Sequence, residues 1–264
     1  MKFGKASKIV LALLMGAMTI VGLSGLSYIF VSYNQAPSTT SSVYDTVTDI
    51  TLTASDDVTI AATYYPVDQP RGWVVYSHMM PSDRTSFVPL ATRLSRAGYA
   101  GIAIDLRGHG QSQGGPDTYL QFSDAQHQAS VRDIEAAVNF LVQQGANASD
   151  VVLVGASIGA NLSLVYGAQH SSAVVALSPG LSYHGVDALA VTDSYQEKGS
   201  VLLVGSSNDP NVVGDDAQIR ALDSAMSEGV VSDVLISEVP YHGTDILVHD
   251  ESVEDAVLLF ITNH

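Results

Sequence analysis

The chain has 264 residues, 46% of them hydrophobic, which is enough for one sizeable domain with a full core. It has no cysteine, which excludes disulfides, thiolate catalysis and cysteine-ligated zinc. All 27 acidic residues lie at or after Asp45, whereas three of the 11 basic residues precede it. The chain from Asp45 onward therefore has 8 basic and 27 acidic residues, a net charge of −19. So acidic a domain should repel nucleic acid and anionic lipid surfaces, and neither is expected as a partner.

The first 33 residues contain a long apolar run after three lysines. Residues 9–33 carry no charge over 25 positions, against about 20 needed to cross a bilayer as a helix. A cleavable signal usually has a shorter apolar region, although Ser24 or Ser27 could end a cleavage site. We favour one N-terminal transmembrane helix in residues 1–33, with the lysines in the cytoplasm and the remainder outside. Residues 34–44 form a polar linker.

The remaining residues, 45–264, predict one α/β domain. Alternating apolar residues over 47–65 indicate an antiparallel hairpin at a sheet edge. Further strands are predicted at 72–78, 99–106, 151–154, 173–178, 200–205 and 230–239, and helices at 85–98, 122–145, 160–166, 215–227 and 252–262. This alternation predicts a mostly parallel sheet with helices on both faces, whose ligands bind at the carboxyl ends of the strands. Five loops begin at the carboxyl ends of the predicted strands, and they start at His78, Arg107, Ser157, Asp209 and His242.

The segment 151–166 carries the strongest local signal. A buried strand runs directly into Gly155-Ala156-Ser157-Ile158-Gly159, and a helix rich in small residues follows. This is the pattern of a nucleophile elbow, in which a serine on a strained turn projects its hydroxyl above the sheet. The two glycines are expected because neighbouring backbone comes too close for a side chain. A glycine-rich corner with an incidental serine is the alternative.

Five motifs in the order of the strand ends resemble the α/β-hydrolase family over residues 45–264. They are SHMMPSDR at 77–84, DLRGHGQS at 105–112, GASIGA at 155–160, GSSNDP at 205–210 and HGTDIL at 242–247. The chain is most similar to small bacterial members, and residues 178–200 leave no room for a large cap. The resemblance implies Ser157 as nucleophile, His242 as base and Asp209 as acid, in the order that this fold uses. No cofactor and no metal are expected.

Other carboxylates are rivals to Asp209. A triad acid holds the imidazole tautomer and stabilises the imidazolium. Asp215 and Asp216 are expected to open the next helix, where its dipole favours them. Asp245, three residues after His242, is expected to cap a local turn.

The oxyanion hole is expected to use backbone N–H groups. One comes from Ile158, directly after the nucleophile, and the resemblance implies Met80 for the other. The family commonly has glycine after the histidine of this loop, whereas this chain has Met79, expected to narrow the acyl pocket or tilt the loop.

The remaining polar residues of the motifs are expected to be structural. Arg84 and Arg107 could grip an anionic substrate, but ion pairs with carboxylates such as Asp83 or Asp105 are favoured. His78 and His109 are expected to brace loops beside the site. Surface or structural positions are expected for four further histidines, His127, His170, His184 and His249.

The sequence therefore predicts a membrane-anchored serine hydrolase with an extracytoplasmic domain, secreted if the N-terminal segment is cleaved. Its expected partners are the membrane, through the N-terminal helix, and a small-molecule carboxylic ester, with a thioester or small amide possible on the same machinery. The alternative is a catalytically silent domain used for binding, because fold does not fix function. Serine at position 157 argues against a dehalogenase or an epoxide hydrolase, which use aspartate.

Overall fold

The computed structural model describes residues 46–170, 172–195, 199–227 and 230–264. These residues form ten strands: β1 (Thr48–Thr53), β2 (Thr59–Tyr65), β3 (Gly72–Ser77), β4 (Tyr99–Ile104), β5 (Val151–Ala156), β6 (Val174–Leu177), β7 (Ser182–Tyr183), β8 (Val186–Asp187), β9 (Ser200–Ser206) and β10 (Val231–Ser237). They also form seven α-helices: α1 (Val88–Arg96), α2 (Asp124–Ala129), α3 (Val131–Gln143), α4 (Ile158–His170), α5 (Asp215–Ala225), α6 (Thr244–His249) and α7 (Glu251–Thr262).

Eight of the strands form one twisted sheet in the order β1-β2-β4-β3-β5-β6-β9-β10. The pairs β1–β2 and β2–β4 are antiparallel, and every other pair is parallel. The predicted edge hairpin and the mostly parallel sheet are therefore confirmed. The parallel strands place their carboxyl ends at one edge, where the five loops expected to bind ligand begin.

Apolar residues cover both faces of this sheet because successive side chains of a strand point to opposite sides. In β3, Val75 packs into the cluster formed with α3, α4 and α5. Its neighbours Val74 and Tyr76 pack into the second cluster, with α1, α6 and α7. Strands buried on both faces have continuous apolar sequences, which explains the Val151–Val154 run.

The helix predicted over 122–145 is two helices rather than one. The N–H of Ser130 donates to the carbonyl of His127 at 3.1 Å, so the turn tightens between α2 and α3. The first of them, α2, is capped at its start, where the Gln126 side chain accepts from the Ser123 N–H at 2.9 Å.

The predicted membrane segment 1–33 and linker 34–44 lie outside the described residues. Within the described ranges, no helix is long and apolar enough to cross a membrane.

Candidate active site

Ser157 occupies the sharp turn between β5 and α4. Its φ is +52°, in the left-handed region that non-glycine residues rarely adopt. A Cβ on Gly155 would lie 2.2 Å from the carbonyl oxygen of Gly159, and a Cβ on Gly159 would lie 2.3 Å from that of Ser77. The predicted need for glycine at both positions is confirmed. The backbone strain at Ser157 is the kind found in a nucleophile elbow.

His242 follows β10 and is paired with the carboxylate that follows β9. Its Nδ1 lies 2.6 Å from Oδ2 of Asp209, whose side chain is completely buried. The other carboxylate oxygen accepts from the N–H groups of Asn211 and Val212, at 2.7 and 3.1 Å. The Asp209 carboxylate is thus fixed from both sides and orients the imidazole.

The loop of His242 reaches back to the elbow. The N–H of Gly243 donates to Ser178 Oγ at 3.0 Å, and a Cβ on Gly243 would lie 3.3 Å from the Cβ of Ala156. The residue after His242 therefore touches the residue before Ser157. Among the described residues, Ser157 Oγ forms no hydrogen bond to His242, so this contact stays a prediction; such bonds are often loose before substrate binds.

The two amides expected to form the oxyanion hole belong to the loop after β3 and to the start of α4. In the described part of the chain, the N–H groups of Met80 and Ile158 donate to no protein acceptor. His78 braces this loop as expected: its Nε2 accepts from the Leu106 N–H at 3.0 Å, and Nδ1 donates to the Met79 carbonyl at 2.9 Å. Burial lowers the pKa of His78 to about 4, so the ring stays neutral.

Met79 packs against the His242 loop. Its sulfur lies 3.9 Å from Thr244 Oγ1 and beside Gly243, where a Cβ would come within 2.6 Å of it. A cavity of about 310 Å³ starts at the next residue, Met80. Its described lining consists of Met80, Pro81, Tyr119, Leu120, Phe122, His127 and His184. Met80 therefore lines a candidate acyl pocket, while the expected effect of Met79 on the pocket stays a prediction.

Two of the rival carboxylates occupy the positions expected from the sequence, since Asp215 and Asp216 lie in the first turn of α5. Asp245 was expected to cap a turn, but it lies exposed within the first turn of α6, whose N-cap residue is Gly243. Asp215 is also buried: Oδ2 accepts from the Ser206 N–H at 2.8 Å, whereas Oδ1 has no partner among the described residues. Burial raises the pKa of Asp215 to about 6.

Both motif arginines form ion pairs, as favoured. The guanidinium of Arg84 pairs with the buried carboxylate of Asp105, and the backbone N–H of Arg84 donates to the same carboxylate at 2.8 Å. Arg107 pairs with Asp133 and Asp56, each at 2.7 Å. Its partners thus come from α3 and from the β1–β2 turn, and not from Asp83 or Asp105.

The histidines divide into structural and pocket-lining residues. His109 braces its own loop by bonding the Arg107 carbonyl at 3.0 Å, while its ring stacks on Tyr119 at 3.9 Å. His127 and His184 stack at 4.4 Å and line the cavity beside Met80. These two histidines were expected at surface or purely structural positions. Their place in the pocket was not predicted, because the pocket forms only where α2 meets the β7–β8 hairpin.

Sequence analysis missed the residue that fastens this hairpin. Asn161 lies in α4, one turn after Ser157, and is completely buried. Its side chain donates to the carbonyls of Gly180 and Val186, at 3.0 and 2.9 Å, and accepts from the Gly180 N–H at 3.0 Å. An amide four residues after Ser157, among the small and apolar residues that begin α4, was the available signal.

Comparisons with known proteins agree with this architecture. Residues 68–233, more than half of the chain, match the family model described as serine aminopeptidase, S33. No curated protein matches the sequence significantly.

Solved structures with the same fold align with this chain over nearly all of their own length. An esterase of Pyrococcus furiosus, Pf2001, is 18% identical with a TM-score of 0.65, over 84% of this chain and 92% of that one. The α/β-hydrolase GrgF from Penicillium is 16% identical with a TM-score of 0.67, over 83% and 99%. A dienelactone hydrolase from Anabaena variabilis is 18% identical with a TM-score of 0.59, over 83% and 96%. At these identities the likeness shows the fold alone, and the predicted α/β-hydrolase fold is confirmed.

Proposed function

Because the chain belongs to the serine aminopeptidase S33 family of α/β-hydrolases, we propose that it cleaves carboxylic esters of small molecules through an acyl-enzyme on Ser157. The observation that carries this proposal is the strained Ser157 turn beside the His242–Asp209 pair. A serine hydroxyl needs a positioned base to become nucleophilic, and histidine titrates in the suitable range.

In the proposed reaction, Ser157 Oγ attacks the ester carbonyl while its proton passes to Nε2 of His242. Asp209, 2.6 Å from Nδ1, stabilises the imidazolium that forms. The N–H groups of Met80 and Ile158 stabilise the oxyanion, and His242 returns the proton to the departing alcohol. Water then hydrolyses the acyl-enzyme by the same steps.

The cavity beside Met80 favours an uncharged acyl group over a peptide. An aminopeptidase substrate carries an α-ammonium group, which needs a carboxylate partner when it is buried. The described lining of this cavity contains no carboxylate; it consists of Met, Pro, Leu, aromatic and histidine side chains. We therefore place the acyl chain of a neutral ester here, with a thioester or small amide accepted by the same machinery.

We also propose that the domain is tethered to a membrane and faces outward. The support is the uncharged run over residues 9–33 behind three lysines.

Labelling with a fluorophosphonate probe tests the proposed activity, followed by p-nitrophenyl esters of increasing chain length. We expect Ser157→Ala to abolish labelling and to reduce turnover by orders of magnitude. Ser95→Ala is the control, since its hydroxyl only bonds the Thr92 carbonyl within α1. Equal labelling of the wild type and Ser157→Ala contradicts the assignment. Absence of labelling and turnover in the wild type favours the silent binding domain.

A further inference from the structure

The hydroxyl of Tyr183 is buried beside the proposed nucleophile without a hydrogen-bond partner among the described residues. Buried polar groups are nearly always paired, so an orphaned hydroxyl requires an explanation. Tyr183 lies in β7, in the short hairpin that follows β6. None of the steps derived above uses it.

The hairpin holds this side chain in a fixed place. Asn161 bonds both sides of it, at Gly180 and Val186, and so ties it to the helix that starts after Ser157. The Tyr183 ring packs on Gly180, where a Cβ would come within 2.5 Å of the ring carbon that bears the hydroxyl. A side chain anchored in this way loses little further entropy when it binds substrate.

The surroundings keep the hydroxyl protonated. Burial, and after it the carboxylates of Asp215 and Asp209, raise the pKa of Tyr183 well above its usual range. The Ser157 hydroxyl is close enough to act in the opposite direction, although the Tyr183 hydroxyl has no hydrogen-bond partner among the described residues. Tyr183 can therefore act as a hydrogen-bond donor at neutral pH and not as a base.

The proposed oxyanion hole decides which substrate oxygen this donor meets. Strand β5, which carries Ser157, lies between β3, which the Met80 loop follows, and β6, which the Tyr183 hairpin follows. An ester has two oxygens at its reacting carbon. In the proposed reaction the N–H groups of Met80 and Ile158 hold the carbonyl oxygen, which leaves the alkoxy oxygen to Tyr183.

We infer that Tyr183 is a catalytic residue whose hydroxyl donates a hydrogen bond to the leaving-group oxygen of the ester bound at Ser157. This inference rests on the proposed function. When the tetrahedral intermediate collapses, the bond from carbon to the alkoxy oxygen breaks and the departing oxygen takes the proton held by His242. Tyr183 keeps its own proton throughout and stabilises the negative charge that develops on that oxygen.

The test compares full-length wild type with Tyr183→Phe, which removes only the hydroxyl, on butyrate esters of p-nitrophenol, phenol and ethanol. We expect kcat/KM to fall about tenfold to a hundredfold on ethyl butyrate, the size of one hydrogen bond to a developing charge. The p-nitrophenyl ester should lose little, because its leaving group needs no such help. Phenyl butyrate should fall between them.

Tyr195→Phe is the matched control. Its buried hydroxyl donates to the Leu164 carbonyl at 2.9 Å, so the variant loses a buried hydrogen bond and should lower kcat/KM equally for all three esters, if at all. Phosphonate labelling of Tyr183→Phe shows that Ser157 is still presented. An equal loss on every ester, or no loss, overturns the role of Tyr183 while the hydrolase activity stands. A wild type with no turnover dependent on Ser157 overturns both.

Discussion

The substitution Asp209→Asn tests how His242 is oriented. The asparagine can keep its amide oxygen where Oδ1 accepts from the N–H groups of Asn211 and Val212, so the loop should stay in place. Its amide nitrogen then faces Nδ1 of His242 in place of the carboxylate oxygen at 2.6 Å. An NH₂ group donates, which forces Nδ1 to accept and moves the ring proton to Nε2. That nitrogen can no longer take the serine proton.

The expected cost is catalytic. The variant has the wrong tautomer and lacks the negative charge beside the imidazolium, and in comparable triads this lowers kcat about 10⁴-fold, roughly 5 kcal/mol of transition-state stabilisation. Asp245→Asn is the control, because the Asp245 carboxylate is exposed and the residue bonds the His242 carbonyl through its backbone N–H, which the substitution keeps. It should retain near wild-type turnover.

The assay is kcat for a p-nitrophenyl ester, measured with thermal unfolding of each variant to separate chemistry from folding. Near-normal kcat in Asp209→Asn together with a large loss in Asp245→Asn would move the acid to Asp245. Equal losses in both variants, with lowered unfolding temperatures, would indicate general damage to the loop instead.

Two further predictions concern stability and location. The pKa of Asp215 is raised by burial from 3.8 to about 6, so the folded state holds this proton more tightly and loses stability as the pH rises from about 4 through 6. Asp215→Asn should therefore gain about 2 kcal/mol relative to wild type between pH 4 and pH 8 in urea unfolding; an equal difference at both pH values contradicts this. The full-length chain should remain in the membrane pellet after carbonate extraction, whereas a chain shortened to begin at Ser38 should be soluble. Recovery of a mature N-terminus between Ser24 and Ala36 would show cleavage instead.

Local patterns in the sequence were sufficient for the sheet and for the nucleophile turn. Strands buried on both faces must be apolar throughout, so the runs at β3, β5 and β9 marked the parallel core without knowledge of their neighbours. The elbow is local at Gly155, where the backbone of Gly159 leaves no room for a side chain, whereas Gly159 is required by the backbone of Ser77 in the adjacent β3. Its position after a buried strand was enough to single out Ser157.

Tertiary structure alone decided the side-chain contacts that no motif marks. Asn161 and Tyr183 are 22 positions apart and share a site only because the chain after β6 folds back over α4. The partners of Arg107 come from two other elements, and the pocket lined by His127 and His184 exists only where α2 meets the β7–β8 hairpin. Periodicity and spacing report each segment's own conformation, whereas these contacts depend on how separate segments pack, which no local pattern encodes.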